Sequence, residues 1–432
     1  MMKIAIIGAG ISGMSAAHFL KENHDITIFE KDSKPGGLIK CRRINGSLFH
    51  TCGGHVFNSK RQDVLDWFWS RFNKEVEFTK TDRNSCVFMD KNDTSLEHDN
   101  IPYPIENHMY LFDKDVQKAF YEDLDEIDRV KGLNAKFTDY DNFGDFLRWR
   151  FGKTLYNLYF QPYNEKVWRR DLTTVPMSWM EGKLPMPTTK EMRDNNANKV
   201  EEKSFVHSTF WYEKKNGSQF IADKLAEGLN IKYGVEINSI QYMDGKWNVC
   251  GEVFDKVIFC GNIKDMVKMI KGVDVEVFKA PVDALEYHGT TAVFCEIDKN
   301  PYSWIYQPSR NHESHRIICT GNFSQTNNDG SIPDGRITAT IEFTDEISKE
   351  NILDNLKRIP LHPEYIDHVY NQYTYPIQDA NTRGMIKELK SVLSPCGFYF
   401  TGRFADWEYY NMDVAIGAAM DLVECIIAKK DN

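Results

Sequence analysis

The chain has 432 residues, with 53 Lys or Arg and 63 Asp or Glu, which gives a formal net charge of −10 at pH 7. This acidic balance disfavours nucleic acid as a partner. The nine cysteines form no C-x-x-C pair, and no apolar run reaches the roughly 18 residues of a membrane span. We therefore expect no metal site, no disulfide framework, no membrane insertion and a cytoplasmic location.

The first stretch of the chain carries a dinucleotide-binding pattern. The apolar run Lys3–Ile7 predicts a buried parallel strand, and a G-x-G-x-x-G follows it at residues 8–13. A predicted helix, Met14–Leu20, leads to a second predicted strand, Ile26–Phe29, which ends at Glu30. A strand, a glycine turn, a helix and an acid about 20 residues on form the dinucleotide fingerprint.

Each residue type in this pattern has a physical role. Gly8 permits the tight turn, Gly10 lets a pyrophosphate touch the backbone, and Gly13 lets the helix meet the strand. The free N–H groups at the helix N-terminus favour phosphate, and Glu30 can accept both ribose hydroxyls. A second glycine turn at residues 31–37 and the position of the motif at the start of the chain favour FAD over NAD.

The rest of the amino-terminal half predicts mainly hairpins and helices. The predicted elements are a hairpin within Arg42–Phe57, a helix over Gln62–Phe72, a hairpin over Asn84–Ile101, helices over Val116–Val130, over Phe143–Leu158 and after Glu165, and a mobile polar loop over Glu191–Lys203. The segment between the second hairpin and this loop therefore predicts an inserted helical domain.

The carboxyl-terminal half predicts the return of the first sheet and a second, antiparallel sheet. The predicted elements are a helix over Phe220–Gly228, strands over Ile231–Ile240, Trp247–Val249 and Val253–Cys260, sheet strands over Thr290–Glu296, Trp304–Gln307, His315–Phe323 and Ile337–Phe343, a buried strand over Gly397–Thr401 and a helix over Val414–Ala428. The apolar end of Val253–Cys260 fits a parallel strand that returns to the first sheet.

The predicted fold class is α/β, with a discontinuous Rossmann-type, GR2-like FAD-binding domain. We assign residues 1–80, 215–265 and 390–432 to this domain. Residues 105–200 form the predicted helical domain. Residues 81–104 and 266–389 form the predicted antiparallel sheet domain that binds substrate.

Several sequence blocks resemble the flavin-dependent UDP-galactopyranose mutases, particularly the eukaryotic-type enzymes, within the GG-doublet flavoproteins. The blocks are Gly53-Gly54-His55-Val56-Phe57, Ile101-Pro102-Tyr103-Pro104, Gln161-Pro162-Tyr163-Asn164-Glu165-Lys166-Val167-Trp168, Trp304-Ile305-Tyr306, Tyr373-Thr374-Tyr375-Pro376 and the run from Gly402 to Asp413. The resemblance implies an isomerase that interconverts the pyranose and furanose forms of a nucleotide-linked sugar without net redox chemistry. Reduced flavin N5 would attack the anomeric carbon and expel the nucleotide diphosphate, and NAD(P)H or another reductant would reduce the FAD.

The resemblance also implies the site residues. It assigns catalytic roles to His55, Arg316 and Lys183, where Lys183 replaces an arginine of the family and loses its bidentate fork. His207 stands where the eukaryotic enzymes have an asparagine. The substrate-binding residues would be Tyr103, Asn107, Phe160, Trp168, Lys183, His207, Tyr306, Arg316, Tyr375 and Tyr409. The cofactor-binding residues would be Gly8, Gly10, Ile11, Ser12, Gly13, Glu30, Lys31, Gly37, Leu38, Gly54, His55, Val235, Gly402, Arg403, Asn411, Met412 and Asp413.

Two other functions share the fingerprint and the glycine doublet. One is an FAD-dependent oxidase of the amine-oxidase or protoporphyrinogen-oxidase kind, and the other is a non-catalytic FAD-bearing scaffold. The favoured substrate is a UDP-sugar. The base, the sugar, the physiological reductant and a homo-oligomeric state stay open.

Overall fold

The computed structural model describes residues 1–90, 99–132, 135–177, 185–200 and 209–428. Two residues of the predicted site, Lys183 and His207, lie outside these ranges. In the part of the chain that is described, no helix is long and apolar enough to cross a membrane.

Twenty strands and fourteen helices are described. The strands are β1 Lys3–Ile7, β2 Asp25–Glu30, β3 Cys41–Ile44, β4 Ser47–His50, β5 Phe78–Asp82, β6 Ser85–Phe88, β7 Asn100–Pro102, β8 Thr209–Glu213, β9 Ile231–Tyr233, β10 Ile240–Met243, β11 Lys246–Val249, β12 Glu252–Phe254, β13 Lys256–Phe259, β14 Ile270–Lys271, β15 Tyr287–Asp298, β16 Trp304–Tyr306, β17 Arg316–Ile318, β18 Arg336–Thr344, β19 Glu364–Pro376 and β20 Phe398–Phe400. The helices are α1 Ile11–Leu20, α2 Gln62–Trp69, α3 Lys74–Glu77, α4 Lys114–Val130, α5 Phe143–Phe151, α6 Lys153–Leu155, α7 Gln161–Trp168, α8 Thr189–Asn198, α9 Ser218–Ala226, α10 Ile263–Met269, α11 Glu276–Asp283, α12 Lys349–Leu356, α13 Thr382–Leu393 and α14 Met412–Ala428.

A five-stranded parallel sheet forms the Rossmann core, in the order β20-β13-β1-β2-β9. Strand β1 lies in its centre, and Ile4, Ile6 and Ile28 are buried on the face that α1 and α14 cover. Central parallel strands are buried on both faces, which is why β1 has a continuous apolar sequence. The predicted α/β fold with a returning parallel strand is thus confirmed.

The second sheet has seven strands, in the order β19-β15-β18-β17-β16-β6-β7. Its neighbouring pairs are antiparallel except β16 and β6, which run parallel, so the predicted antiparallel sheet is confirmed and contains one parallel pair. The sequence did not predict β19, the 13-residue edge strand. Polar residues are frequent along β19, and most of its positions are half-buried, so its sequence lacks a clear apolar alternation.

The helical region differs from its prediction in three places. The helix expected over Phe143–Leu158 is interrupted at Gly152, which has a φ of 92°. The short helix α6 and then a π-helical turn follow this glycine. The helix expected after Glu165 begins earlier, at Gln161, as α7. It ends at Trp168, and the next residue, Arg169, has a left-handed backbone conformation. The loop expected over Glu191–Lys203 is largely the helix α8, because Thr188 and Glu191 form a capping box that starts it.

Two strands predicted as continuous are divided. The run Ile231–Ile240 forms β9 and the start of β10, and Gly234 between them has a φ of 69°. The run Val253–Cys260 contributes β12 to a four-stranded sheet and β13 to the Rossmann sheet. The three predicted domain assignments stay predictions.

Candidate functional site

The glycine turn between β1 and α1 has the geometry of a phosphate cradle. A Cβ atom built on Gly13 would lie 2.0 Å from the carbonyl oxygen of Gly8, so only glycine lets this helix meet this strand. A Cβ built on Gly10 meets nothing within 4 Å, which leaves space for a ligand beside the backbone. The first helical hydrogen bond runs from Met14 N–H to Gly10 O, so the N–H groups before it have no intrahelical acceptor.

The carboxylate of Glu30 is held next to this turn. Its Oε2 accepts from Ala9 N–H at 2.7 Å, its Oε1 accepts from Asp32 N–H at 2.9 Å, and the residue is 7% exposed. Each oxygen keeps a further lone pair for a ribose hydroxyl. The open space at Gly10 and the fixed carboxylate together fit the ribose and pyrophosphate of a dinucleotide.

Several other predicted cofactor residues lie around this turn, and others stand at the beginning of α14. A Cβ on Gly37 would lie 3.5 Å from Gly10 Cα, so the two glycine turns meet, and Val235 N–H donates to Glu30 O at 2.9 Å. A Cβ on Gly402 would lie 3.1 Å from Ser12 Oγ. Lys31 is exposed, Leu38 is half-buried, and Asn411, Met412 and Asp413 stand at the beginning of α14.

A second glycine segment, residues 51–56, is called the glycine loop. Gly53 has a φ of 64°, and a Cβ on Gly54 would lie 2.6 Å from Ile318 Cγ2, so the loop packs closely against the second sheet. His55 N–H donates to His50 Nδ1 at 3.4 Å. The Nε2 atom of His55 is buried and has no hydrogen-bond partner within the described ranges. Burial, together with the nearby charge of Arg403, lowers the pKa of His55 to about 4, so the imidazole is neutral at pH 7.

Arg316 is paired with a carboxylate that the sequence analysis did not single out. Its Nε donates to Glu342 Oε2 at 2.7 Å, its Nη2 donates to the same oxygen, and Nη2 lies 3.4 Å from the hydroxyl of Tyr375. Glu342 is 1% exposed, whereas the side chain of Arg316 is 19% exposed. Burial alone would raise the pKa of Glu342, but the charge of Arg316 holds it at about 2.

Two stacked tyrosines separate Arg316 from a second arginine. The rings of Tyr375 and Tyr409 are 5.5 Å apart and almost parallel. The guanidinium carbon of Arg403 lies 4.1 Å from the ring centroid of Tyr409, and Arg403 Nε is buried without a hydrogen-bond partner in the described part of the chain. We call Arg316, Tyr375, Tyr409 and Arg403 the arginine–tyrosine cage. The guanidinium of Arg403 lies on these tyrosines, and its predicted contact with the cofactor stays a prediction.

An aromatic cluster adjoins the cage. The ring of Tyr163 lies 5.6 Å from that of Tyr306, which lies 5.1 Å from Tyr103. Arg83 Nη2 donates to the Tyr306 hydroxyl at 3.0 Å. The ring of Trp168 lies 6.0 Å from that of Tyr375. The structure thus brings together the predicted residues Tyr103, Trp168 and Tyr306 from segments far apart in the sequence.

Two predicted substrate residues have other contacts. Asn107 is 3% exposed, and its Oδ1 accepts from Asn195 Nδ2 at 3.2 Å inside the helical region. Phe160 packs on Phe151, with ring centroids 4.4 Å apart, and on Tyr159. Both belong to the framework of the helical region, and their substrate roles stay predictions.

The sequence analysis missed Glu342, Arg83 and Tyr163. A signal for Glu342 exists, because it is the one acidic residue between Arg336 and Thr344, a strand whose other positions are mostly apolar or threonine. Arg83 has no such signal, since its partner Tyr306 is 223 positions away in the sequence. No group of three or more His, Cys, Asp or Glu in the described residues could hold a metal ion.

Comparisons with known proteins agree with this architecture. The family model of an NAD(P)-binding Rossmann-like domain matches residues 6–72. The coproporphyrinogen III oxidase of Staphylococcus aureus (strain NCTC 8325 / PS 47) is 54% identical over 48 residues, which are 10% of this chain and 10% of that protein. The chain therefore matches only about a tenth of that relative's length.

Two solved structures match almost the whole chain. A reduced UDP-galactopyranose mutase superposes with a TM-score of 0.84 and 20% identity, over 99% of this chain and 96% of that chain. A protein from Exiguobacterium sp. 255-15 assigned as a protoporphyrinogen oxidase superposes with a TM-score of 0.73 and 13% identity, over 99% of both chains. The chain therefore contains a dinucleotide-binding Rossmann domain within a fold that mutases and oxidases share.

Proposed function

We propose that the protein is an FAD-dependent mutase that interconverts the pyranose and furanose forms of a nucleotide-linked sugar, with a UDP-sugar as the favoured substrate. The observation that carries the proposal is the arginine–tyrosine cage next to the glycine loop. Two guanidinium groups and two phenol hydroxyls can bind a diphosphate there. The fold match to a UDP-galactopyranose mutase over 99% of this chain is consistent with this function.

FAD fits the residues at the glycine turn, and when bound and reduced it supplies the nucleophile for the anomeric carbon. The chain's own contribution is then positioning and charge. Glu30 would hold the ribose, and the N–H groups before Met14 would hold the pyrophosphate. His55 is neutral, and its Nε2 has no hydrogen-bond partner among the described residues, so this atom would be available to accept or donate a proton next to a bound cofactor.

The cage has the second task in this reaction. The nucleotide diphosphate leaves the sugar and must return to it, so the protein has to hold it while it is free. Arg316 and the hydroxyls of Tyr375 and Tyr409 can keep it in register with the sugar. Arg403 adds a positive charge that has no acidic partner among the described residues.

A second candidate is an FAD-dependent oxidase. The short match to coproporphyrinogen III oxidase and the structural match to the protein assigned as a protoporphyrinogen oxidase favour it. Oxidation of an amine or a porphyrinogen does not require a diphosphate cage. The cage therefore favours the mutase.

Incubation of the enzyme with a panel of nucleotide sugars tests the proposal. With dithionite- or NAD(P)H-reduced protein, we expect a furanose product and no net consumption of reductant once the flavin is reduced. The oxidised protein should give no product. Release of peroxide from amines or porphyrinogens, or stoichiometric oxidation of the sugar, would favour the oxidase, and inactivity in every assay would favour a scaffold.

A further inference from the structure

Glu342 contacts two parts of the site through its two carboxylate oxygens. Oε2 accepts from Arg316 Nε at 2.7 Å, and Oε1 accepts from Gly53 N–H, in the glycine loop, at 3.1 Å. Arg316 and Glu342 stand directly opposite each other on β17 and β18, which fixes this pair in the sheet. One buried carboxylate thus joins the arginine of the cage to the backbone of the loop that carries His55.

Stability is a weak reason for a charged pair at this position. Burying two charges costs several kcal/mol, and apolar pairs of similar volume are often as stable or more stable. Thr340 and Thr344, which share the face of Glu342 on β18, are buried as well, so the position of Glu342 is enclosed in the protein. The ion pair also has a cost for ligand binding, because Glu342 cancels the charge of Arg316 where an anion would bind.

We propose that Glu342 is a positioning residue that couples nucleotide-diphosphate binding at Arg316 to the position of the glycine loop beside the cofactor; this inference rests on the proposed function. Glu342 holds the Nε and Nη2 side of the guanidinium, which leaves Nη1 for the ligand. Any shift of Arg316 toward a diphosphate is transmitted through Glu342 to Gly53. The pairing with Glu342 thus lowers the affinity of Arg316 for a diphosphate but fixes the position of the guanidinium group.

Coupling of this kind is reciprocal, so it is measurable as the ratio of the UDP dissociation constants of the oxidised and the reduced protein. If the loop responds to the redox state of the cofactor, the dissociation constant of UDP should differ between oxidised and reduced protein. In the wild type we expect a ratio of at least about threefold, which corresponds to roughly 0.65 kcal/mol. In Glu342→Gln the ratio should fall to about one, because the charged link to Arg316 is lost.

The direction of the changes in UDP affinity and kcat distinguishes a positioning role of Glu342 from a general loss of structure. Glu342→Gln removes a negative charge beside the anion site, so UDP should bind more tightly than in the wild type, whereas kcat should fall at least about tenfold without a rise in KM. Glu342→Asp keeps the charge but is one methylene too short to reach both partners. In Glu342→Asp the ratio of the UDP dissociation constants of oxidised and reduced protein should therefore fall to about one, with little change in UDP affinity averaged over the two states. This variant provides the test if the glutamine variant does not fold.

A matched control lies in the same sheet. Asp298 and Arg336 also form a cross-strand ion pair, between β15 and β18, with Oδ1 and Nη1 2.7 Å apart. Asp298→Asn removes a cross-strand ion pair at the other end of β18, where the carboxylate is 41% exposed, and should leave the UDP ratio and kcat as in the wild type. Equal loss of the ratio in Asp298→Asn and Glu342→Gln would contradict the proposal.

The experiment is titration of UDP into oxidised and reduced holoenzyme of the wild type and these variants. A wild-type ratio of one, or an unchanged ratio and kcat in Glu342→Gln, would overturn the inference and leave the proposed function intact. Absence of UDP binding to the wild type in both redox states would instead remove the proposed function, and the inference with it.

Discussion

The glycine turn and the arginine–tyrosine cage are built in opposite ways. The turn uses one contiguous segment, in which Gly8, Gly10 and Gly13 shape the backbone and Glu30 follows on the next strand. The cage combines side chains from β17, from β19 and from the loop before α14. A contiguous motif indicates the class of its ligand in the sequence itself. A site made of side chains from distant segments indicates its ligand only in the folded structure.

The cage also differs in its charge. Arg316 is neutralised by the buried Glu342, and Arg403 has no acidic partner among the described residues. In the proposed function, the cofactor would bind mainly to backbone N–H groups of the turn, whereas the substrate would bind to the guanidinium groups of the cage. Substitutions at the two regions should therefore separate cofactor binding from substrate binding.

Arg316→Ala should have the largest effect. It removes a diphosphate contact and leaves Glu342 buried without its partner, so we expect a loss of roughly 2–5 kcal/mol in transition-state stabilisation, and a lower thermal stability. Measurement of kcat/KM with reduced enzyme, corrected for the folded fraction, checks this. The control is Arg310→Ala, an exposed arginine paired with Glu165, which should behave like the wild type. Unchanged kcat/KM in Arg316→Ala would remove this arginine from the site.

Two glycine substitutions test the turn. Gly13→Ala places a Cβ 2.0 Å from a backbone oxygen, so it should cost at least about 3 kcal/mol of folding stability. Gly10→Ala meets open space in the protein alone, so the apoprotein should keep its melting temperature while FAD occupancy falls. Thermal denaturation of the apoproteins and the flavin absorbance of the purified proteins measure the two effects. Full FAD occupancy in Gly10→Ala would contradict the placement of the cofactor.

Glu30→Ala tests the ribose contact. The substitution removes the acceptor of Ala9 N–H and Asp32 N–H as well as the ligand contact, so FAD binding should weaken by about 1–3 kcal/mol. Glu30→Gln should be milder, because one amide oxygen still accepts. Titration of the apoproteins with FAD checks the order of the three affinities, and an unchanged affinity in Glu30→Ala would exclude this carboxylate as the ribose ligand.

The pH dependence of stability tests the burial of two histidines. Burial lowers the pKa of His55 to about 4 and that of His312 to about 3, from 6.5. Between about pH 6.5 and pH 4 the unfolded chain therefore binds more protons than the folded chain. The free energy of unfolding decreases as the pH is lowered through this range, by at most about 1.4 kcal/mol per pH unit for each histidine. Melting temperatures measured across this range should show a smaller acid slope in both His55→Gln and His312→Gln. Only His55→Gln should change the flavin absorbance, and an unchanged slope in both would contradict the burial argument.

The sequence predicted the Rossmann core because its signals are local. The run Lys3–Ile7, the glycines and Glu30 lie within one βαβ unit, and the structure places them as expected. The polar composition of residues 191–203 favours a loop, whereas the capping box at Thr188 and Glu191, which is visible in the sequence, starts the helix α8.

The pairing inside the cage could not be predicted from local signals. Glu342 meets Arg316 only because β17 and β18 are neighbours in register, and it meets Gly53 only because the glycine loop packs on that sheet. The resemblance identified Arg316, Tyr375 and Tyr409, but their mutual arrangement and the carboxylate behind the arginine depend on tertiary contacts between segments up to 289 positions apart.

The central claim is that the cage binds a nucleoside diphosphate. The most direct measurement is titration of UDP and of uridine into the holoenzyme with its flavin reduced. We expect UDP to bind at least about tenfold more tightly than uridine, a difference of about 1.4 kcal/mol, and Arg316→Ala to remove most of this difference. Equal dissociation constants for UDP and uridine would contradict the claim, because the cage would then contribute nothing to the binding of a diphosphate.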